Sequence, residues 1–208
     1  MPRRSLLYER AFSKSSRVER QRLARDLKNN RQKVNEGKAF QKRGIGEYEA
    51  CLGFPPNGII QRIKLAIQKR KRPLSVLDIG NGKGLFLSAL KMLFKENVVT
   101  TGLSTARTSR GDGIDHVRTG SIERFGEREQ YDFIFSIYTF MYATSPKVGL
   151  HNVINALRTG GEAFIELDGT GLQLKRLPME LHHEYPNFHF RLRKKMFSRT
   201  YLHMVRRR

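Results

Sequence analysis

With 208 residues, 38% of them hydrophobic, the chain is long enough for one full-sized core with appendages and too short for two. It contains no apolar run near the roughly 18 residues of a membrane-spanning helix, which argues against an integral membrane protein. Its single cysteine, Cys51, rules out an internal disulfide and suits a reducing compartment. The net charge of +21 is unevenly placed: residues 1–72 carry +14, residues 73–168 carry −1 and residues 169–208 carry +8. Basic ends around a neutral middle point to a polyanionic partner, nucleic acid before an anionic membrane surface. Because Lys and Arg are spread over two segments, RNA or a ribonucleoprotein fits best.

Residues 1–15, MPRRSLLYERAFSKS, are rich in Arg and Ser, with Glu9 the single acid. That composition suits an RNA-binding arm and also a mitochondrial transit peptide, so the expected compartment is the cytoplasm, with mitochondria as the alternative. Ser16 and Glu19 make a capping box for a polar helix predicted over 17–36. Its thin apolar stripe (Val18, Leu23, Leu27, Val34) fits loose docking or ordering on a partner. Gly37, Gly44 and Gly46 break the stretch after that helix. A second helix starts near Asn57, with Ile59, Ile60, Ile63, Ala66 and Ile67 on one packing face. This divides the chain into a basic, largely helical N-terminal extension, 1–56, and a domain, 57–208.

Within that domain strands and helices alternate. Strands are expected at 75–79, 97–103, weakly at 114–118, and at 131–137 and 161–167. Between them lie helix 84–95, with Phe86, Leu90, Leu93 and Phe94 inward, and helix 146–158, opened by Pro146 and followed by Gly160-Gly161. Apolar strands separated by helices predict an α/β sandwich of three layers around a mostly parallel sheet. The tail breaks the pattern. NFHFRLRK (187–194) and TYLHMVRR (200–207) alternate with period two and predict a C-terminal antiparallel hairpin with one basic face. On that face Arg191, Arg193, Lys194 and Lys195 are the candidate nucleic-acid-binding residues.

The most specific stretch is SVLDIGNGKG, 75–84, where a buried strand turns into a helix through Gly80, Gly82 and Gly84. Glycines there supply unusual backbone angles and let a ligand approach the main chain. A dinucleotide fingerprint would need glycine at position 85, which is Leu85, and the loop lacks the Gly-Lys-Ser/Thr ending of a triphosphate-binding loop. The stretch resembles motif I, close to VLDxGxGxG, of the class I S-adenosylmethionine-dependent methyltransferases. VVTTGLST resembles that family's second strand, YDFIFSIYTFMY its motif IV, and INALRTGGEAFIEL its following helix and strand. The terminal hairpin resembles its reversed last strands, so the likeness covers about 74–208.

The resemblance implies the Rossmann-like methyltransferase fold and S-adenosyl-L-methionine as cofactor. It implies that Asp78 helps hold the amino end of the cofactor's methionine. Gly80, Asn81, Gly82 and Gly84 would let the backbone pass beneath the ligand, and Ser136 would face the methyl donor. Ser104 and Ser121 stand where the family carries acids for the ribose hydroxyls and the adenine amino group. Serine accepts one hydrogen bond where a carboxylate accepts two, a loss on the order of 1–3 kcal/mol per site. Tyr138 is the candidate catalytic residue, lining the acceptor pocket or orienting a nucleophile, with packing at the lip of the sheet as its plainer role and as the role of Tyr142. Glu166 and Asp168 flank the end of the fifth strand, where either suits a base or a solvated loop. His182, His183, His189 and His203 lack metal-ligand spacing, so no metal site is expected. Three functions compete on these grounds: a methyltransferase acting on ribosomal or transfer RNA, a catalytically silent RNA- or ribosome-binding scaffold on the same fold, and a methyltransferase of a small molecule or protein.

Overall fold

In the computed structural model, β1 (Leu74–Ile79) is buried along almost its whole length, because helices cover both faces of the sheet it centres. The residues described are 43–105, 113–194 and 200–207, all within one compact unit, Phe40–Arg208. The helix predicted over 17–36 and Lys195 lie outside them. The order of elements is α1 (Ile45–Leu52), α2 (Gly58–Lys69), β1, α3 (Leu85–Phe94), β2 (Val98–Ser104), β3 (His116–Thr119) and β4 (Tyr131–Ser136). Then come α4 (Pro146–Ala156), β5 (Leu157–Glu166), α5 (Leu177–Glu184), β6 (Phe188–Lys194) and β7 (Thr200–Arg206).

The seven strands lie in the order β3-β2-β1-β4-β5-β7-β6, parallel except for β7, which runs antiparallel to both neighbours. This is the expected three-layer α/β sandwich around a mostly parallel sheet, with the expected terminal hairpin. One face of the sheet packs Val76, Phe133, Phe135 and Phe164 against α1, α2 and α3. The other packs Leu77, Ile134 and Ile165 against α4 and α5. Strand alternation sends neighbouring side chains to opposite layers. Among the described residues, no helix is long and apolar enough to cross a membrane.

Two helices depart from the sequence reading. Residues 45–52, read as a glycine-broken part of the N-terminal extension, form α1 and pack into the body: Tyr48 and Leu52 are buried there. Gly44 precedes the first turn and Gly53, at φ 69°, ends the last with its N–H donated to the Glu49 carbonyl, so both glycines mark ends. Glu49 then reaches across the connection, its carboxylate accepting the N–H groups of Asn57 and Ile59 at 3.0 Å each and capping α2. Helix α5 also goes unpredicted by the sequence, its apolar stripe being short.

Strand β5 starts at Leu157, four residues before the expected position, because α4 ends at Ala156. Leu157 pairs with Tyr131 and Glu162 with Phe133, so a bulge holds the residues between. Gly160 lies there at φ 74°, and a Cβ on Gly161 would stand 2.8 Å from the Arg158 carbonyl. The two glycines read as a stop after the helix are the bend of the strand. At the start of β4, wholly buried Asp132 binds Arg70 and Arg72 and accepts the Ser75 N–H at 2.9 Å. Part of the basic run 69–72 is therefore neutralised inside the fold.

Candidate functional site

Parallel strands of this topology carry their ligands beyond their C-terminal ends, and there the candidate residues gather. Asp78 is the second-last residue of β1, and alternation turns its carboxylate to the α1–α3 side, where it is fully buried. The Tyr48 hydroxyl donates to it, 2.7 Å from both oxygens. Tyr48 is pinned by stacking flat on Phe86, ring centres 3.9 Å apart. Burial pushes the Asp78 pKa up to about 7, against the pull of the Tyr48 hydrogen bond and the nearby Arg43 guanidinium. Burial and the same carboxylate drive the Tyr48 phenol well above its ordinary value. The charge of Asp78 is thus destabilised in the protein alone, and a cation brought beside it would be strongly held.

Past Asp78 the chain turns through Gly80, Gly82 and Gly84, all in the left-handed region at φ 77°, 53° and 74°. The Gly80 N–H donates to the Leu103 carbonyl at 2.7 Å, tying the loop to β2. The bare faces of two of these glycines are used by the protein itself: Thr139 lies on Gly80 and Ile114 on Gly84. Asn81, buried between them, lies over Gly102 of β2, where a Cβ would stand 2.8 Å from the Asn81 amide carbon. Its Oδ1 is buried and accepts no hydrogen bond.

Ser104 closes β2, buried, its carbonyl accepting the Gly120 N–H at 2.9 Å. That bond brings Ser121, at the entrance of a 3₁₀ turn (Ile122–Arg124), into the neighbourhood of Ser104. Ser121 hydrogen-bonds Glu123, which burial pushes up but which hydrogen bonds from its own N–H, Thr144 and Ser121 hold below the usual range. Ser136, expected to face a methyl donor, is fully buried and donates its hydroxyl to the Ile79 carbonyl at 3.1 Å. It fastens β4 to β1.

Tyr138 follows β4 with φ 55°, a left-handed conformation unusual for an aromatic residue. Three contacts hold it there. Its N–H donates to the Glu166 carboxylate at 2.8 Å, the Arg43 guanidinium lies 4.6 Å over its ring centre, and the Cys51 thiol donates to its hydroxyl at 3.2 Å. Arg43 also donates Nη1 to the Ile137 carbonyl at 3.3 Å, while its Nε is buried and donates to nothing. Asp168, by contrast, is engaged with the hairpin, accepting the Thr200 N–H at 2.9 Å.

One edge of the sheet therefore collects Asp78, Gly80, Asn81, Gly82, Gly84, Ser104 and Tyr138, with Ser121 adjoining. It adds Arg43, Tyr48, Cys51 and Thr139, which the sequence reading missed. Arg191, Arg193 and Lys194 lie elsewhere, on the outer strand β6. Among the described residues no group of three His, Cys, Asp or Glu is arranged to hold a metal. His203 bonds Glu162 at 2.8 Å, and this bond with the Arg62 contact holds Glu162 low despite burial. A cavity of about 400 Å³ at the opposite end of the sheet, between Arg128, Tyr185 and Arg206, includes none of the site residues.

The edge fits an amino-acid head group with a nucleoside. A buried carboxylate bonded by a phenol rather than a cation, a guanidinium with an unused N–H and an amide oxygen without a donor are complementary to an ammonium, a carboxylate and a hydroxyl.

The sequence matches the family described as a methyltransferase domain over residues 53–207. In structure the chain is similar to the plantazolicin methyltransferase BpumL in complex with S-adenosylhomocysteine, with TM-score 0.56 and 13% identity over 95% of this chain and 94% of that one. It is equally similar to the 1,6-didemethyltoxoflavin N1-methyltransferase of Burkholderia thailandensis, with TM-score 0.56 and 13% identity over 93% and 92%. A putative ribosomal RNA methyltransferase of Plasmodium falciparum overlaps with TM-score 0.52 and 14% identity over 71% and 94%. No curated protein sequence matches the chain.

Proposed function

Because the chain belongs to the methyltransferase domain family, we propose that it transfers a methyl group from S-adenosylmethionine to RNA. The observation that carries the cofactor assignment is the buried Asp78 carboxylate at the foot of the glycine loop, bonded by the Tyr48 hydroxyl and, among the described residues, by no cation. When bound, the cofactor supplies an already activated methyl on a sulfonium, so the protein's task is placement. Asp78 would hold the ammonium and Arg43 the carboxylate. Asn81 Oδ1 would accept a hydrogen bond where Ser104 leaves the ribose without its usual acid. Tyr138, fixed through ring, hydroxyl and N–H, is the group positioned to line the acceptor pocket. A strained residue over-determined by its neighbours is characteristic of such a place. For the acceptor, the net charge of +21 and the exposed basic strand β6 favour RNA over a small molecule.

Calorimetric titration with S-adenosylhomocysteine, followed by transfer of labelled methyl to total RNA, tests this reading. Binding at micromolar concentration and label in RNA are expected, and both should vanish in Gly82→Val, where a branched side chain meets a φ of 53°. A second reading is favoured by Thr139 on Gly80, Ile114 on Gly84 and the serine at 104: a silent RNA-binding scaffold. No binding up to millimolar ligand would put that reading in its place.

A further inference from the structure

We propose that the outward face of β6 is a single-stranded RNA ledge, with Arg191 and Arg193 contacting successive phosphates. This rests on the proposed RNA acceptor and deepens it. The two faces of β6 differ. Phe188 and Phe190 are buried and Leu192 half-buried on the side covered by α5, whereas His189, Arg191 and Arg193 on the other side are exposed. On that second side the helical layer stops one strand short. Phe54 packs on Phe164 of β5, Gly53 meets Tyr201 of β7, and Arg62 binds Glu162 of β5. Among the described residues, no helix lies on this side of the outermost strand.

Charge decides what covers it. Six described arginines have acidic partners: Arg62 with Glu162, Arg70, Arg72 and Arg158 with Asp132, Arg118 with Glu127, and Arg206 with Glu129. Arg191 and Arg193 have none among the described residues. Two exposed, uncompensated guanidiniums in a row fit a row of phosphates, which they can bind bidentately.

Geometry selects a single strand. Residues i and i+2 of a strand stand about 6.8 Å apart, close to the spacing of successive phosphates along an extended nucleic-acid chain. The ledge is about one strand wide, some 4.8 Å, which accommodates one backbone. Arg191 faces His203 in the ladder, and the His203 ring lies flat on Phe164, centres 4.5 Å apart and planes 8° from parallel. The His203 side chain is only 14% exposed and bonded to Glu162, so it backs the ledge, and the single-strand assignment rests on the ledge's width and arginine spacing. By strand alternation Lys194 points to the other face, so the basic residues read together from the sequence divide.

The test is fluorescence anisotropy of a short labelled single-stranded RNA over about 50 to 200 mM salt, with the full chain. Each lost phosphate contact lowers the log–log salt slope by about 0.7 for a single strand. Arg191→Gln with Arg193→Gln should therefore reduce the slope by about 1.4 and the affinity about 25-fold at 0.1 M salt. Lys71→Gln with Lys95→Gln, exposed just before β1 and β2 and so far from β6 in the strand order, should leave both unchanged. Unaltered thermal unfolding checks that the variants fold. An undiminished slope in the β6 variant, or an equal loss in the control, overturns the ledge while wild-type binding leaves the RNA reading standing. Equal competition by duplex RNA overturns the single-strand assignment. No RNA binding by the wild type, or binding only to phosphatidylserine vesicles, overturns both.

Discussion

Replacing Asp78 with Asn should make the protein more stable above neutral pH while removing its ability to bind the cofactor. The folded-state pKa of Asp78 is raised from 3.8 to about 7 by burial. Between those values the folded protein binds a proton that the unfolded chain has released, so stability falls as pH rises through the window. The contribution is fully present below pH 3.8 and lost above about 7. Three pH units at 1.36 kcal/mol each set the cost of ionised Asp78 at pH 8 at about 4 kcal/mol. Asn keeps a carbonyl to accept the Tyr48 hydroxyl and carries no charge, so Asp78→Asn should recover most of that difference. For a chain of this length this raises the melting temperature by roughly 8–16 °C at pH 8. Below pH 3.8 the two proteins should unfold together, since residue 78 is then largely neutral in the folded and unfolded states of each. Comparing them at each pH cancels Asp115, Glu123 and Glu162, whose lowered values act in the opposite direction. Unfolding by urea and by heat at several pH values measures this. A variant less stable than wild type at pH 8 would refute the reasoning, because Asp78 would then be a stabilising charge.

The same carboxylate should report on its ligand. An ammonium bound beside Asp78 restores its ordinary acidity, so S-adenosylhomocysteine binding at pH 6 should release close to one proton, and almost none at pH 8.5. Calorimetry in buffers of different ionisation enthalpy reads this, and a buffer-independent enthalpy at pH 6 counts against it. Glu49→Ala strips α2 of the acceptor for two N–H groups and should cost about 2 kcal/mol in denaturant unfolding. Loss below about 0.5 kcal/mol would mean that water caps the helix as well. Asp132→Ala leaves Arg70 and Arg72 facing each other without a counter-charge. It should cost about 3 kcal/mol, the low end for a broken buried pair because Arg72 is partly exposed. A neutral effect would show that the arginines relax freely into solvent.

The sheet was legible because its strands carry their signal locally. Buried runs such as SVLDI and YDFIFSI are bounded by turns, and the hairpin alternates strictly. Motif I was legible because glycine has few local competitors at alternating positions in a strand-to-helix turn. What was illegible depends on contacts distant in sequence. Gly44 and Gly46 read as breaks, yet α1 is stabilised by Tyr48 on Phe86 and by Glu49 on α2, neither visible in a local window. Gly160 and Gly161 read as a helix stop because a bulge within β5 exists only once β4 is beside it. Ser136 looked free to face a ligand because the Ile79 carbonyl that accepts its hydrogen bond lies 57 residues away. Asn81 lying over Gly102 is a pairing of the same kind: each residue is ordinary alone, and their fit is a property of the fold.

Helix α1 explains how this site differs from a bare glycine-loop cleft. The family match begins at residue 53, immediately after α1. Yet the four buried residues of α1 serve four different ends: Tyr48 bonds Asp78, Glu49 caps α2, Cys51 bonds Tyr138, and Leu52 fills the core between them. Arg43, two residues upstream, supplies the ring contact on Tyr138 and the positive charge acting on Asp78. Buried Asp78 and left-handed Tyr138 thus both take contacts from one ten-residue segment, 43–52, which adds to the burial of the first and to the Glu166 hydrogen bond of the second.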